Sequence, residues 1–257
     1  MILLLIGKDE LAIRRRLQEL RDQADGGSGM LVTNLSVIDG RDAKPAEIIG
    51  PAMSPPFLAP ARLVIVEGLI DRFDPSRDPA AGGARPPRNT DAYAPLFDAL
   101  ERGIPPTTLL VFTGRETGKA NAMASRLSKI AGVETEEHAE LRGDALIRFI
   151  RTEADVRGIR LRNGPFRRNQ PPDEDVAKMG DPAAVLAMLL QGDTLSIVNE
   201  LDKLALYTMG RDATVDDLVE SCGAARQFAQ FAFSDAVLDG DLRKAFAALE
   251  QLREAPS

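Results

Sequence analysis

The chain has 257 residues, of which 44% are hydrophobic and 28% charged, and such values are typical of a soluble globular protein with more than one domain. The single cysteine, Cys222, and the single histidine, His138, exclude an internal disulfide, a cysteine-based metal cage and a Cys-His or Ser-His-Asp catalytic centre. A net charge of −7 argues that the chain does not coat nucleic acid by itself, because non-specific binding depends on Lys and Arg side chains that neutralise phosphates. We interpret Cys222 as a core residue and His138 as a solvated residue in an acidic linker.

Strand-like and helical patterns alternate along the first half of the chain. Apolar or β-branched runs predict strands at Ile2–Ile6, Gly29–Asn34 with Leu35–Ile38 behind it, Leu63–Glu67 and Leu109–Phe112. A helix is predicted over Asp9–Arg21, with Asp9 as its cap and Arg14 to Arg16 on a solvated face. Alternating strands and helices predict a parallel sheet in an α/β domain.

A short apolar segment precedes the third strand of this pattern. It contains Met53, Pro56, Phe57 and Leu58, and further prolines stand on both sides of the Phe-Leu pair. Prolines prevent the segment from extending into a regular helix or into the strand, which favours an exposed turn. An exposed Phe-Leu pair indicates docking to another protein, while the alternative is that Phe57 caps the core below the strand.

The places where a phosphate-binding loop would lie do not have the required spacing. Gly7-Lys8-Asp9-Glu10 lacks the second glycine and the hydroxyl residue, and Gly114 to Ala120 is one residue short between its glycines. Glu67 is a single carboxylate where an ATPase would carry paired acidic residues. The sequence therefore predicts neither ATP binding, nor another cofactor, nor a catalytic centre.

The second half of the chain is predicted to be all-α, apart from a short strand-like segment at Gly132–Thr135. The helical candidates are Leu141–Val156, Pro182–Gln191, Asp193–Met209 and Thr214–Ser221. The third of these has an apolar stripe formed by Leu195, Val198, Leu201, Leu204 and Ala205. Asp193 or Thr194 is its predicted N-cap, and Gly210 lies just past its end.

Several motifs, taken in order, resemble the delta subunit of the bacterial DNA polymerase III clamp loader. In the first half they are Leu3–Glu10, Asp39-Gly40, Pro55–Leu58, Arg62–Gly68 and Pro105–Phe112. In the second half they are Leu141–Ile150, Gly192-Asp193, Asn199–Tyr207 and Phe233–Asp241. Each motif alone is weak, but together they cover nearly the whole chain in the order of that family.

The resemblance implies an AAA+-type fold that has lost ATP binding. It implies an α/β clamp-binding domain over residues 1–140, a helical lid domain over 141–213 and the first part of a helical collar domain over 214–257. The family continues for several more helices beyond this point, so we expect a truncated collar with exposed apolar positions at Leu238, Leu242, Phe246, Leu249 and Leu252. Segments 71–89 and 162–175 look like insertions. The second combines Arg with an aromatic residue in a way that could contact DNA, but we interpret it as a solvated loop.

For function, the resemblance implies that a hydrophobic wedge opens the ring-shaped sliding clamp so that it can be loaded on primed DNA during replication. By position, Phe57 is the wedge aromatic, with Pro56 and Leu58 beside it and Met53 close behind. The implied partners are the beta sliding clamp, the gamma/tau and delta prime subunits and, weakly or indirectly, primed DNA. Polymerase chemistry belongs to other subunits. The implied location is the cytoplasm, near the nucleoid, and Met1–Ile6 is too short to span a membrane.

Other classes of protein remain as alternatives. An ATP-hydrolysing or stator subunit of the same loader would carry a phosphate loop or zinc-binding cysteines, which this sequence lacks. An unrelated AAA+-like adaptor could use the Pro-Pro-Phe-Leu segment to bind a different protein. A true nucleoside triphosphatase would bind ATP tightly, so a nucleotide titration separates that class from the others.

Overall fold

The structure is a computed structural model, which describes residues 1–74, 90–115, 121–164 and 180–221, together with Phe246. The chain divides after Glu140 into an α/β unit, Met1–Glu140, and a helical unit, Leu141–Ser257. The predicted class, an α/β domain followed by all-α structure, is confirmed. The further division of the helical part at residue 213 stays a prediction.

A five-stranded parallel sheet forms the centre of the α/β unit. Its strands are β1 (Ile2–Gly7), β2 (Leu35–Asp39), β3 (Arg62–Glu67), β4 (Thr108–Gly114) and β5 (Val133–His138). They lie in the order β2-β3-β4-β1-β5, and each neighbouring pair is parallel. The carboxyl ends of all strands therefore meet at one edge of the sheet, and the amino ends meet at the opposite edge.

Helices cover both faces of the sheet. They are α1 (Glu10–Asp25), α2 (Leu31–Asn34), α3 (Pro45–Met53), α4 (Leu69–Arg72), α5 (Ala94–Arg102) and α6 (Ala122–Leu127). Leu3 and Leu5 of β1 share a core cluster with Leu20 of α1. Their neighbour Leu4 belongs to a second cluster with Phe97 of α5. Because side chains alternate along a strand, this division places the sheet in the middle layer of three.

The first helix is longer than its sequence pattern predicted. The Asp9 side chain accepts a hydrogen bond from the Ala12 N–H at 3.0 Å, as predicted for an N-cap, but the helix continues past Arg21 to Asp25. The interpretation of Arg14 to Arg16 as a solvated run holds for the first two residues. Arg16 is half-buried, and its guanidinium makes two hydrogen bonds of 2.9 Å to the Glu136 carboxylate on β5.

The strand predicted at Gly29–Asn34 is wrong, because most of this segment forms the short helix α2. Asp25 at the end of α1 accepts hydrogen bonds from the Gly29 and Leu31 N–H groups, at 3.1 and 3.0 Å. These bonds lower the pKa of Asp25 and fix the turn from which α2 begins. The strand starts only at Leu35, where the chain pairs with β3.

The helical unit contains α7 (Gly143–Val156), α8 (Pro182–Leu190), α9 (Thr194–Thr208) and α10 (Val215–Ser221). These bounds agree with the four helices predicted from the sequence. Asp193 caps α9, since its carboxylate accepts from the Ser196 N–H at 3.0 Å. The buried stripe of α9 includes Ile197, which the sequence pattern missed, whereas Leu195 is only half-buried.

Some predictions fall outside the described residues. They concern Cys222, residues 75–89 and 165–175 of the two insertions, residues 116–120 of the second glycine pair, the Phe233–Asp241 motif and the leucines at 238, 242, 249 and 252. Phe246 is helical, and 65% of it is exposed.

Candidate protein-binding tip

Residues 54–61 connect α3 to β3 at the amino edge of the sheet, and we call this segment the tip. Phe57 and Leu58 are 58% and 70% exposed, whereas Pro56 and the preceding Met53 are half-buried. The prediction of an exposed turn is confirmed, and the alternative that Phe57 caps the core is excluded. Two adjacent large apolar side chains of this connection therefore face solvent.

The backbone of the tip is held by Asn34, the last residue of α2. Asn34 is fully buried. Its side-chain oxygen accepts a hydrogen bond from the Phe57 N–H at 2.6 Å, and its side-chain nitrogen donates to the Phe57 carbonyl oxygen at 2.8 Å. The same nitrogen donates to the Met30 carbonyl oxygen at 2.9 Å. Sequence reasoning missed Asn34, because the residues around it resembled a strand.

The base of the tip packs closely against the end of α1. A Cβ atom added to Gly26 would lie 2.7 Å from Cγ of Pro60, and Gly26 has a φ of +53°, so both the close contact and the backbone conformation favour glycine. Leu58 also lies in the left-handed region, with a φ of 51°. Such a conformation is uncommon for a residue with a side chain and persists only where the surroundings determine it.

At the carboxyl edge of the sheet, where α/β proteins bind nucleotides, the connection from β1 to α1 is short. Only Lys8 and Asp9 separate β1 from α1, and the Asp9 carboxylate occupies the amino end of the helix where a phosphate group would lie. The Asp9 N–H donates to the His138 carbonyl oxygen at 3.1 Å. A Cβ on Gly7 would lie 1.9 Å from that oxygen, so the end of β1 approaches β5 too closely for a side chain at this position.

Charged groups at this edge pair with one another. Arg115, after β4, donates from its side chain to Glu10 at 3.0 Å and from its backbone N–H to Asp71 at 2.7 Å. Glu67, the single carboxylate expected at the end of β3, is exposed. The Arg115–Glu10 pair lies at the start of α1, and the absence of ATP binding stays a prediction.

The interpretation of His138 as a solvated linker residue is wrong. His138 is the last residue of β5, its side chain is 22% exposed, and its Nε2 atom lies 3.8 Å from Glu136 without a hydrogen bond. Within the described ranges, no group of three or more His, Cys, Asp and Glu side chains could hold a metal ion. In the same part of the chain, no helix is long and apolar enough to cross a membrane.

A comparison with solved structures identifies the fold. The chain is similar over 100% of its length to 68% of the Bacillus subtilis DNA clamp loader delta protein, with a TM-score of 0.62 and 18% identity. It has the fold of a clamp loader delta protein. A DNA polymerase III gamma subunit-related protein from Thermotoga maritima aligns with 98% of the chain and 72% of its own, at 17% identity and a TM-score of 0.36. Neither a protein-family profile nor a curated protein sequence matches the chain.

Similarity at the level of the fold agrees with the resemblance seen in the sequence motifs. The delta protein shares the α/β unit and the helical structure that follows it, at an identity too low to transfer individual residues. The roles of Phe57, Leu58, Pro56 and Met53 in clamp binding therefore stay predictions. What the structure adds is their placement, with two of them exposed on a held turn and two half-buried behind it.

Proposed function

We propose that this chain is the clamp-binding, delta-type subunit of a DNA polymerase III clamp loader. The observation that carries the proposal is the exposure of Phe57 and Leu58 on a turn whose backbone is fixed by a buried side chain. The delta-type fold supports the assignment. In this proposal the two side chains enter an apolar pocket on the sliding clamp, and Pro56 and Met53 support them from behind.

The burial of two such side chains would provide enough free energy to stabilise a small interface. Burial of a Phe or Leu side chain contributes about 1.5–3 kcal/mol, so that two of them can dominate a small interface. The turn is already ordered before binding, which reduces the entropy lost on association. The tip therefore has the properties expected of a binding hot spot.

Clamp opening adds a thermodynamic requirement to this binding. A protein that opens a ring must bind the open or monomeric form more tightly than the closed form, since a ligand shifts an equilibrium only by its differential affinity. We propose that ATP acts through other subunits of the loader, namely gamma/tau, with delta prime as a further partner. Primed DNA is contacted weakly or indirectly in this scheme.

The experiment that tests the proposal is binding of the cognate sliding clamp to the parent chain and to the Phe57→Ala, Leu58→Ala double variant. We expect tight binding by the parent and a loss of about 2 kcal/mol or more in the double variant, because the apolar contact is removed. Circular dichroism should show the same fold in both proteins, since the exposed side chains contribute little to the core.

A matched control is available in the helical unit, where Val156 and Leu206 are 76% and 79% exposed. The Val156→Ala, Leu206→Ala variant removes a comparable amount of exposed apolar surface and should bind the clamp like the parent. A parent chain that ignores the clamp would refute the proposed function. Equal losses in the two double variants would show that exposed apolar surface in general, and not the tip, determines binding.

A further inference from the structure

We propose that Asn34 is a positioning residue for the tip, and that it presets the backbone of Phe57 in the conformation that the protein partner binds. The proposal rests on the proposed function for the identity of the partner, a sliding clamp. Asn34 does not reach the surface itself, since none of its area is exposed. Its effect on binding must therefore pass through the residues that it holds.

The hydrogen bonds of Asn34 are arranged around one residue of the tip. Both polar backbone groups of Phe57 bond to the Asn34 side chain, one as donor at 2.6 Å and the other as acceptor at 2.8 Å. This pairing imitates the contact between two strands, but it is made by a single side chain. The third bond, to the Met30 carbonyl oxygen, ties the amide to the start of α2. Both the oxygen and the nitrogen of the Asn34 amide therefore have hydrogen-bond partners, which fixes the orientation of the side chain.

The tip needs such an external constraint. The side chains of Phe57 and Leu58 are largely exposed, so burial in the core cannot determine how the backbone carries them. Leu58 also adopts a left-handed φ of 51°, which isolated residues with side chains rarely populate. Without the two bonds to Phe57, the segment would sample other conformations, and binding would have to select the correct one.

The elements around Asn34 are themselves held in place. Asp25 fixes the turn before α2 through the Gly29 and Leu31 N–H groups, and Gly26 packs against Pro60 at the base of the tip. The end of α1 therefore supports both α2 and the tip. Asn34 is the one described side chain that hydrogen-bonds to the tip at the residue proposed to enter the partner's pocket.

The test compares Asn34→Ala with Asn121→Ala, a matched substitution in the same unit. Asn121 is 2% exposed, donates to the Ile70 carbonyl oxygen at 2.9 Å and accepts from the Ala124 N–H at 3.0 Å. Both variants lose a buried amide with its hydrogen bonds, so both should be less stable. The hydrogen bonds of Asn121 join α4 to α6 and do not involve the tip, so its variant should bind the clamp like the parent.

Two measurements separate positioning from a merely structural role. We expect Asn34→Ala to bind the cognate clamp about tenfold more weakly than the parent, because the tip is no longer ordered in advance. We also expect faster hydrogen exchange at the Phe57 amide in this variant, with unchanged exchange in Asn121→Ala. Equal clamp affinity in the two variants, or unchanged protection of the Phe57 amide, would overturn the proposal.

Two further variants keep the proposal open to refutation. If Asn34→Ala does not fold, Asn34→Ser takes its place, because a single hydroxyl keeps the site polar and uncharged but is too short to bridge both backbone groups of Phe57. In the Phe57→Ala, Leu58→Ala background, Asn34→Ala should cause no further loss of clamp affinity, and an additional loss as large as in the parent would contradict action through the tip. If the parent itself does not bind the clamp, the proposed function fails, while the exchange rate of the Phe57 amide still decides whether Asn34 holds the tip.

Discussion

Asp217, close to the start of α10, joins two polar groups of the preceding turn. Its carboxylate accepts from the Arg211 guanidinium at 2.6 Å and from the Thr214 N–H at 2.8 Å. The hydrogen bond from Arg211 is the largest cause of a lowered pKa for this carboxyl group, and Thr214 lowers it further. Because the pKa is lower in the folded chain, the stabilisation is complete above the ordinary Asp pKa of about 4 and is lost as the pH falls through the folded value.

From this we predict that Asp217→Asn lowers the free energy of unfolding by about 1–2 kcal/mol at pH 7, because charge-assisted hydrogen bonds are replaced by weaker ones. The difference from the parent should shrink as the pH drops below about 4. Asp216→Asn is the control, since Asp216 is exposed. Urea denaturation followed by circular dichroism measures both variants. A difference that stays the same at pH 7 and at pH 2 would contradict the ionic explanation.

Among the elements, the contact between β1 and β5 depends on one glycine. Gly7 has a φ of +147°, and a Cβ at this position would lie 1.9 Å from the His138 carbonyl oxygen. We predict that Gly7→Ala lowers the free energy of unfolding by about 2–4 kcal/mol, because the backbone of β5 must move away from β1.

The opposite result is expected for Gly50→Ala in α3, where an added Cβ meets no atom within 4 Å and the φ is not positive. Alanine is favoured over glycine inside a helix, so this variant should be more stable by about 0.5–1 kcal/mol. Thermal unfolding of Gly7→Ala and Gly50→Ala, compared with the parent, measures both expected changes in stability. A Gly7→Ala protein as stable as the parent would show that β5 can separate from β1 at little cost.

Most elements were predictable where the local pattern and the tertiary environment favour the same structure. The apolar runs of β1, β3 and β4 are buried on both faces, and the helices of the second half carry their own caps and stripes. The helix α2 was missed because a short apolar run is compatible with a strand or with a helix. The hydrogen bonds that Asp25 accepts from Gly29 and Leu31 stabilise the turn from which the helix begins. The strand β5 extends past Thr135 to His138 because pairing with β1 outweighs the low strand propensity of its glutamates.

The site was predictable to a similar extent. Prolines around Phe57 and Leu58 indicated an exposed turn, and that information is local. The role of Asn34 was not accessible, because its hydrogen bonds to Phe57 connect residues that are 23 positions apart in the sequence. The pairing of Arg115 with Glu10 spans 105 positions and was likewise not visible. Contacts of this kind follow from the fold and cannot be read from a local pattern.

For the whole molecule, the fold is retained with little sequence identity to the clamp loader delta protein of Bacillus subtilis, at 18% over the full chain. What the two chains share is the order and packing of elements, which many apolar sequences can satisfy. Function therefore has to be tested at the site. We propose that the α/β unit binds the clamp, since the tip lies within Met1–Glu140.

The most direct test of the central claim is the affinity of the chain for a monomeric, interface-disrupted clamp relative to the closed clamp ring. For a chain that binds and opens the clamp through its tip, we predict at least about tenfold tighter binding of the monomer. The Phe57→Ala, Leu58→Ala variant should lose affinity for both forms. Equal affinity for monomer and ring would contradict clamp opening, and a variant that binds both forms as tightly as the parent would contradict the assignment of the tip.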